Sequence, residues 1–141
     1  MLLDILKGFV PALLGTLLVG PLVGVLAGAA AAVGHWRPLF MRLKRGGKIV
    51  ATTTGAFLGF APLVVLLAGA VWILLFVAFR YASLSSIVAA LSLPVFALLL
   101  HESWPIVAFG AAAAVAVVIL HRANIGRLRA GTESKFTFSR N

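Results

Sequence analysis

The sequence contains no cysteine and only three acidic residues among its 141 positions. The absence of cysteine excludes disulfide bonds and thiolate metal sites, and the His and carboxylate residues lack the spacing typical of zinc sites. We therefore expect neither a metal nor another cofactor. Hydrophobic residues make up 62% of the chain, more apolar surface than a soluble core of this size can bury. This composition predicts an all-α polytopic membrane protein, with residues 1–141 forming a single membrane domain.

The formal net charge of +9 comes mostly from two clusters of cations, with nearly uncharged sequence between them. Lys and Arg concentrate in the cytoplasmic loops of membrane proteins, so their placement predicts topology rather than a nucleic-acid partner. We expect a basic cytoplasmic loop at residues 35–48 and a basic cytoplasmic tail at residues 121–141. The clusters are Arg37, Arg42, Lys44, Arg45 and Lys48, and then Arg122, Arg127, Arg129, Lys135 and Arg140.

The apolar segments predict about six short transmembrane or re-entrant helices with both termini in the cytoplasm. Residues 49–79 carry no charge and would form one helix ~46 Å long against a hydrocarbon core of ~30 Å, so we expect two crossings that break at Pro62. Gly20-Pro21 likewise divides the first apolar block, and HESWP, residues 101–105, forms a turn on the far side. The start, MLLDILKGFVPALL, lacks a polar cleavage region, so we expect no removable signal peptide.

The stretch KRGGKIVATTTG, residues 44–55, has the composition of an anion cradle. Gly46 and Gly47 allow backbone N–H groups to turn toward a ligand, and Lys48 adds a positive charge just before a predicted helix. The spacing is not that of the nucleotide-binding P-loop. The alternative is a flexible basic loop that only sets the membrane topology. Of the three threonines at 52–54, we expect at least two to hydrogen-bond back to the helix backbone.

A second polar stretch, HRANIGRLRAGTESKF, begins at residue 121. His121 and Asn124 are three residues apart and share one helix face, which can offer both side chains to a ligand. The alternative is an amphipathic tail whose arginines reach lipid phosphates. Glu133 is the only acid in this stretch, and we expect it to form a salt bridge with a nearby Arg.

Other polar residues near the same predicted face have two interpretations. Of Ser83, Ser85 and Ser86, we expect one to cap the helix that starts there, while the others are free to face a site. His35, in GHWRP, is either a ligand contact or an interfacial histidine beside Trp36. Further possible site residues are Lys7, His35 and Arg45.

Four stretches of this sequence resemble the bacterial integral-membrane glycerol-3-phosphate acyltransferases that use acyl phosphate. They are DILKGFVP (4–11), GHWRPLFMRLKRGGKIVAT (34–52), RYASLSSIVAALSLP (80–94) and HRANIGRLRAGTESKF (121–136), in the family's order and at nearly its spacing. The resemblance implies acyl transfer from acyl phosphate to the 1-hydroxyl of glycerol 3-phosphate, giving lysophosphatidate for phospholipid synthesis. It also implies a bacterial inner-membrane protein whose partners are these two substrates and membrane lipids.

By position, the resemblance also implies roles for individual residues. His121 and Asn124 match the family's C-terminal polar pair and are assigned to catalysis, with either His121 or a substrate phosphate as the proton acceptor. Glu133 matches a family acid with a structural role. The residues assigned to substrate phosphate binding are Gly46, Gly47, Lys48, Ser83 and Ser86.

The sequence departs from the family pattern at its start and around the glycine-rich loop, where one residue is added upstream and Arg37 replaces an apolar or aromatic residue. Family members begin with a further helix and a Ser-Gly-Asn-x-Gly-Ala-Thr-Asn loop, and neither occurs in this sequence. Ile49 stands where the family has glycine, although a β-branched residue disfavours the positive φ that glycine allows. The alternative to an enzyme is therefore a noncatalytic membrane protein that binds lipid phosphates or a partner subunit.

Overall fold

The computed structural model describes residues 1–36 and 48–137, and within these residues the protein consists of seven α-helices. The helices are α1 (Leu2–Leu18), α2 (Pro21–Trp36), α3 (Val50–Phe60), α4 (Pro62–Phe79), α5 (Ala82–Leu99), α6 (Trp104–Leu120) and α7 (Arg122–Arg129). The all-helical fold predicted from the composition is confirmed.

Both helix breaks predicted from proline are present. Gly20, at a φ of 135°, separates α1 from α2, and Pro21 begins the second helix. Ala61 separates α3 from α4, and Pro62 lies in the first turn of α4, where its missing N–H leaves no helical bond unmade. Each proline therefore ends one helix and starts the next.

The helices differ in whether they are long enough to cross a membrane. Among the described residues, α4 and α5 are each 18 residues long and sufficiently apolar, and α6 with α7 adds a third span if their 60° bend is included. The 11 residues of α3 extend only ~16 Å, about half of a hydrocarbon core of ~30 Å. Residues 49–79 form two helices as predicted, and the length of α3 favours the re-entrant alternative over a full crossing for the first of them.

Several helix ends meet at one end of the bundle, which we call the polar face. Lys48, before α3, donates a 2.7 Å hydrogen bond to Asn124 of α7. Ser83, at the start of α5, donates a 2.6 Å bond to Glu133 in the tail that follows α7. These bonds show that residues 49–79 leave this face and return to it, as the charge pattern predicts.

Glycines allow α1 and α3 to pack with their backbones in contact. A Cβ atom on Gly8 would collide with the carbonyl oxygen of Thr52, and one on Gly55 would collide with that of Ile5. Small residues permit this approach between membrane helices. The contact fixes α3 against α1 and leaves the other side of α3 to face α4 and α5.

The hydrophobic core lies around the middle of α3. Phe57 is fully buried, and its ring centroid lies 5.0 Å from that of Phe60 and 5.6 Å from that of Phe109 in α6. Tilted aromatic pairs at these distances are favourable beyond the area they bury. This cluster packs the short α3 against α6.

The expectation for the threonines of α3 is wrong. Thr54 donates a 2.9 Å hydrogen bond back to the carbonyl of Val50, but the hydroxyls of Thr52 and Thr53 have no hydrogen-bond partner among the described residues. Both of these residues are almost fully buried. Both hydroxyls are therefore buried without the back-bond that helix chemistry predicts.

The expectation that a serine caps α5 is also wrong. The N-cap is Tyr81, in extended conformation, and it makes no side-chain cap bond. Ser85 and Ser86 instead donate to the carbonyls of Tyr81 and Ala82, at 3.0 and 2.8 Å. The helix begins before any of the serines, so each serine already lies in its first turns, where the carbonyl four residues back is within reach.

Candidate active site

A pocket of about 490 Å³ opens at the polar face. The pocket is lined by every described residue that we assigned to phosphate binding or to catalysis. Gly46, Gly47 and Arg45 lie outside the described residues. The polar lining residues are Lys48, Ser83, Ser86, His121, Asn124, Glu133, Ser134 and Lys135.

Three helices begin at this pocket. Val50 is the first residue of α3, Ala82 is the first residue of α5 and His121 is the N-cap of α7, and all three line the cavity. The first N–H groups of a helix lack intrahelical acceptors, and the helix dipole makes this end positive. The pocket therefore combines several anion-binding features with the side chain of Lys48.

Glu133 is the hub of the pocket's hydrogen bonds. Its Oε1 accepts from Ser83 Oγ at 2.6 Å and from Asn124 Nδ2 at 2.7 Å, and its Oε2 accepts from Arg127 Nε at 2.6 Å. The bond from Ser83 is the largest cause that lowers the pKa of Glu133 to about 2, with the bonds from Asn124 and Arg127 adding to it and burial opposing it. The predicted salt bridge with an Arg is confirmed, and Arg127 is the partner.

Asn124 is held at both ends of its amide. Its Oδ1 accepts from Lys48 Nζ at 2.7 Å, while its Nδ2 donates to Glu133. This chain of bonds connects residues 76 positions apart and fixes where the Lys48 ammonium lies. Asn124 is thus placed to position Lys48, a relation that sequence spacing alone did not indicate.

His121 is buried and has a defined hydrogen-bond geometry. Its Nδ1 lies 2.8 Å from the carbonyl of Val117, so Nδ1 carries the proton and Nε2 keeps a free lone pair. Burial lowers the pKa of His121 and the charge of Lys48 lowers it further, while the bond to Val117 and the charge of Glu133 oppose this shift. The ring is therefore neutral at pH 7 and can accept a proton.

The segment after α7 forms one wall of the pocket. The N–H of Phe136 donates to the carbonyl of Arg80 at 2.8 Å, and its ring packs 5.4 Å from that of Phe76. Lys135 lies 5.4 Å from the ring centre of Tyr81, within cation–π distance. Sequence analysis missed Ser134 and Lys135 as lining residues, because an extended segment has no periodicity from which its facing side can be read.

Two of the possible site residues lie apart from the pocket. Lys7 Nζ and His35 Nδ1 lie 3.6 and 3.4 Å from the carboxylate of Asp4, near the start of α1 and the end of α2. Neither lines the pocket at Lys48. Their shared carboxylate accounts for both side chains without a ligand.

A second cavity of about 490 Å³ adjoins the first and is mainly apolar. It lies between α3, α4 and α5, and Val50 and Ser86 line both cavities. Trp72 of α4 donates from Nε1 to Ser86 Oγ at 3.1 Å and so marks the junction between them. The apolar cavity thus lies directly beside the polar pocket, and the uniformly apolar sequence of α4 gave no signal for it.

The protein-family model described as glycerol-3-phosphate acyltransferase matches residues 1–131. The chain belongs to this family. It is 44% identical over 135 residues to the glycerol-3-phosphate acyltransferase of Desulforudis audaxviator, covering 96% of this chain and 68% of that protein. It is 45% identical to glycerol-3-phosphate acyltransferase 2 of Moorella thermoacetica, covering 94% of this chain and 68% of the relative.

Two crystal structures of PlsY (YgiH), an integral membrane glycerol 3-phosphate acyltransferase, match this fold. They hold the glycerol 3-phosphate and lysophosphatidic acid forms of that enzyme, and each superposes with a TM-score of 0.92 at 35% identity over 96% of this chain. The chain covers 68% and 70% of those two chains. The predicted acyltransferase family and the predicted integral membrane class are both confirmed, and no comparison favours the noncatalytic alternative.

Proposed function

We propose that this protein transfers an acyl group from acyl phosphate to glycerol 3-phosphate and releases lysophosphatidate and phosphate. The observation that carries this proposal is that a cationic pocket lies beside an apolar cavity with which it shares the lining residues Val50 and Ser86. Acyl phosphate has the same division, with a dianionic head and an apolar chain. Family membership supports the same reaction.

The polar pocket supplies the groups that phosphate requires. Lys48 provides a positive charge held by Asn124, and the starts of α3 and α5 direct unpaired N–H groups to the same place. Ser83 and Ser86 add hydroxyls, although Ser83 already donates to Glu133 and Ser86 to the carbonyl of Ala82. We assign phosphate binding to Lys48 and these helix ends, together with Gly46 and Gly47 in the preceding loop.

The reaction needs a proton acceptor and a group that stabilises the departing phosphate. The 1-hydroxyl oxygen of glycerol 3-phosphate attacks the acyl carbonyl carbon, and the bond from that carbon to the phosphate oxygen breaks. Lys48 stabilises the charge on the leaving phosphate. His121 Nε2, with its free lone pair, accepts the hydroxyl proton or passes it to a phosphate oxygen. Asn124 acts by positioning Lys48.

The membrane orientation follows from the cations at the polar face. By the positive-inside rule, the loop at 35–48 and the tail at 121–141 lie in the cytoplasm with both termini, and Glu102 lies outside the inner membrane of a bacterial cell. The chain has no cysteine, so single cysteines are clean reporters. We expect a membrane-impermeant maleimide to label the Glu102→Cys variant in intact cells, and the Arg129→Cys variant only after lysis. The reverse pattern would contradict this orientation.

The activity is tested by incubating the purified protein in detergent with palmitoyl phosphate and radiolabelled glycerol 3-phosphate. We expect lysophosphatidate from the native chain and a loss of about 100-fold or more in kcat/KM for Lys48→Met and for His121→Ala. Arg129→Met, which removes an exposed cation of α7 outside the pocket, is the matched control and should keep its activity. Absence of product from the native chain would overturn the proposed function.

A further inference from the structure

Small residues form opposite walls of the apolar cavity. Ala68 and Gly69 of α4 lie on one side, and Ala89 and Ala90 of α5 lie on another. Small side chains at these positions leave room between helices that would otherwise interlock. The depth of the cavity therefore depends on the lack of large side chains at these positions.

Gly69 differs from the glycines that the fold requires. A Cβ on Gly8 or Gly55 would collide with a neighbouring backbone, whereas a Cβ on Gly69 would meet no other heavy atom within 4 Å. Gly69 also lies within α4, where glycine is less favourable for a helix than alanine. Neither close packing nor a turn accounts for a glycine here, and the open space beside it is the cavity itself.

The position of Gly69 along the cavity indicates which part of an acyl chain would lie beside it. Trp72 marks the junction with the polar pocket through its bond to Ser86. Gly69 is three residues earlier on the same helix, about 5 Å deeper along the axis. An acyl chain whose head lies in the polar pocket must pass Gly69 after its first few carbons.

We propose that Gly69 determines the length of acyl chain that the protein accepts, because its missing side chain keeps the cavity open beyond Trp72. This inference rests on the proposed function, which places the acyl chain of acyl phosphate in this cavity. A leucine at this position fills the passage one turn below the junction. A hexanoyl chain extends little beyond that point, whereas a palmitoyl chain extends well beyond it.

The test compares Gly69→Leu with Ala70→Leu, using hexanoyl phosphate and palmitoyl phosphate as donors. Ala70 is the next residue of α4, is exposed and does not line the cavity, so it is a matched control. We expect Gly69→Leu to lower kcat/KM for palmitoyl phosphate by about tenfold or more and to keep hexanoyl phosphate within about threefold. Ala70→Leu should change neither. Equal losses for both donors, or no loss for either, in Gly69→Leu would overturn the proposal.

A binding measurement separates this proposal from the proposed function. Hexadecyl phosphate cannot transfer an acyl group, but by binding the folded state it raises the unfolding temperature. We expect this stabilisation in the native chain and in Ala70→Leu and its loss in Gly69→Leu, while hexyl phosphate acts equally on all three. That result supports the role of Gly69 even if no variant turns over. Equal stabilisation of all three by hexadecyl phosphate, or none in the native chain, would contradict it.

Discussion

Asp4 and Glu133, two of the three acids in the chain, both connect distant segments at the polar face. Asp4 lies 3.4 Å from His35 and 3.6 Å from Lys7, and its side chain is 26% exposed. Glu133 accepts three bonds of 2.6 to 2.7 Å, and its side chain is 7% exposed. One carboxylate makes longer ion pairs beside solvent, and the other makes short bonds that cover most of its own surface.

This difference indicates which of the two carboxylates determines the geometry of the pocket. Exposed ion pairs contribute about 0–1 kcal/mol, because water screens them and long side chains lose freedom. Hydrogen bonds to a buried charge contribute about 1.5–3 kcal/mol each, and their loss leaves polar groups without partners. The Glu133 bonds also determine where Asn124, and through it Lys48, lies. We therefore expect pocket geometry to depend on Glu133 and to be nearly independent of Asp4.

The largest effect expected from this comparison is that of Glu133→Ala. The change leaves the amide of Asn124 and the guanidinium of Arg127 without their acceptor, so Lys48 loses its fixed position. We expect kcat/KM for acyl transfer to fall by about 100-fold or more, together with a lower unfolding temperature in detergent. Glu102→Ala, at the opposite end of α5, removes the same charge and should leave both quantities near native values. Native activity in Glu133→Ala would contradict the expectation that the pocket geometry depends on Glu133.

The second-largest effect that we expect is a difference between the two carboxylates in how they change the unfolding temperature at acid pH. The pKa of Glu133 is lowered from 4.5 to about 2, so the stability it contributes is complete above about pH 4.5 and is lost as the pH falls toward 2. We expect the unfolding temperature of the native chain to fall between about pH 5 and pH 2.5, and that of Glu133→Gln to change less over the same range. Asp4→Asn should follow the native curve. Identical pH profiles for the native chain and Glu133→Gln would contradict this assignment.

A smaller effect sharpens the comparison inside the pocket. Burial and the charge of Lys48 lower the pKa of His121, while the charge of Glu133 opposes this. Titration of the histidine side chains by ¹⁵N NMR should therefore show a pKa below 6.5 for His121, raised in Lys48→Gln and lowered further in Glu133→Gln. Asp4→Asn should leave the His121 titration unchanged. A shift in Asp4→Asn equal to that in Glu133→Gln would mean that both carboxylates act on the site.

The parts of this molecule that depend on local chemistry could be predicted from sequence. Proline positions gave the breaks at Pro21 and Pro62, and the distribution of cations gave the face at which the polar residues meet. Ile49 is an exception, because it adopts a φ of 58° that its β-branched side chain disfavours and that only the family's glycine at this position indicated. These features depend on one residue or on a local pattern.

The parts that depend on distance between helices could not be predicted. The bond from Lys48 to Asn124 joins residues 76 apart and depends on how α3 and α7 tilt toward each other. The cavity beside Gly69 was equally hidden, because α4 is apolar on every side and offers no periodicity to show which residues face lipid and which face the cavity. The closely packed α1 and α3 likewise leave Thr52 without the back-bond expected from helix chemistry alone.

The smallest effect expected is that of Asp4→Asn on stability, and it is the sharpest check on the role of burial. His35 and Lys7 keep access to water when the Asp4 charge is removed, so neither is left buried without a partner. We expect a small decrease in unfolding temperature at low ionic strength that disappears near about 0.5 M salt, where the screening length is only a few ångströms. Lys7→Met should behave in the same way, because it removes the other half of one pair. A large decrease that persists in high salt would show that Asp4 holds the ends of α1 and α2 as firmly as Glu133 holds the pocket.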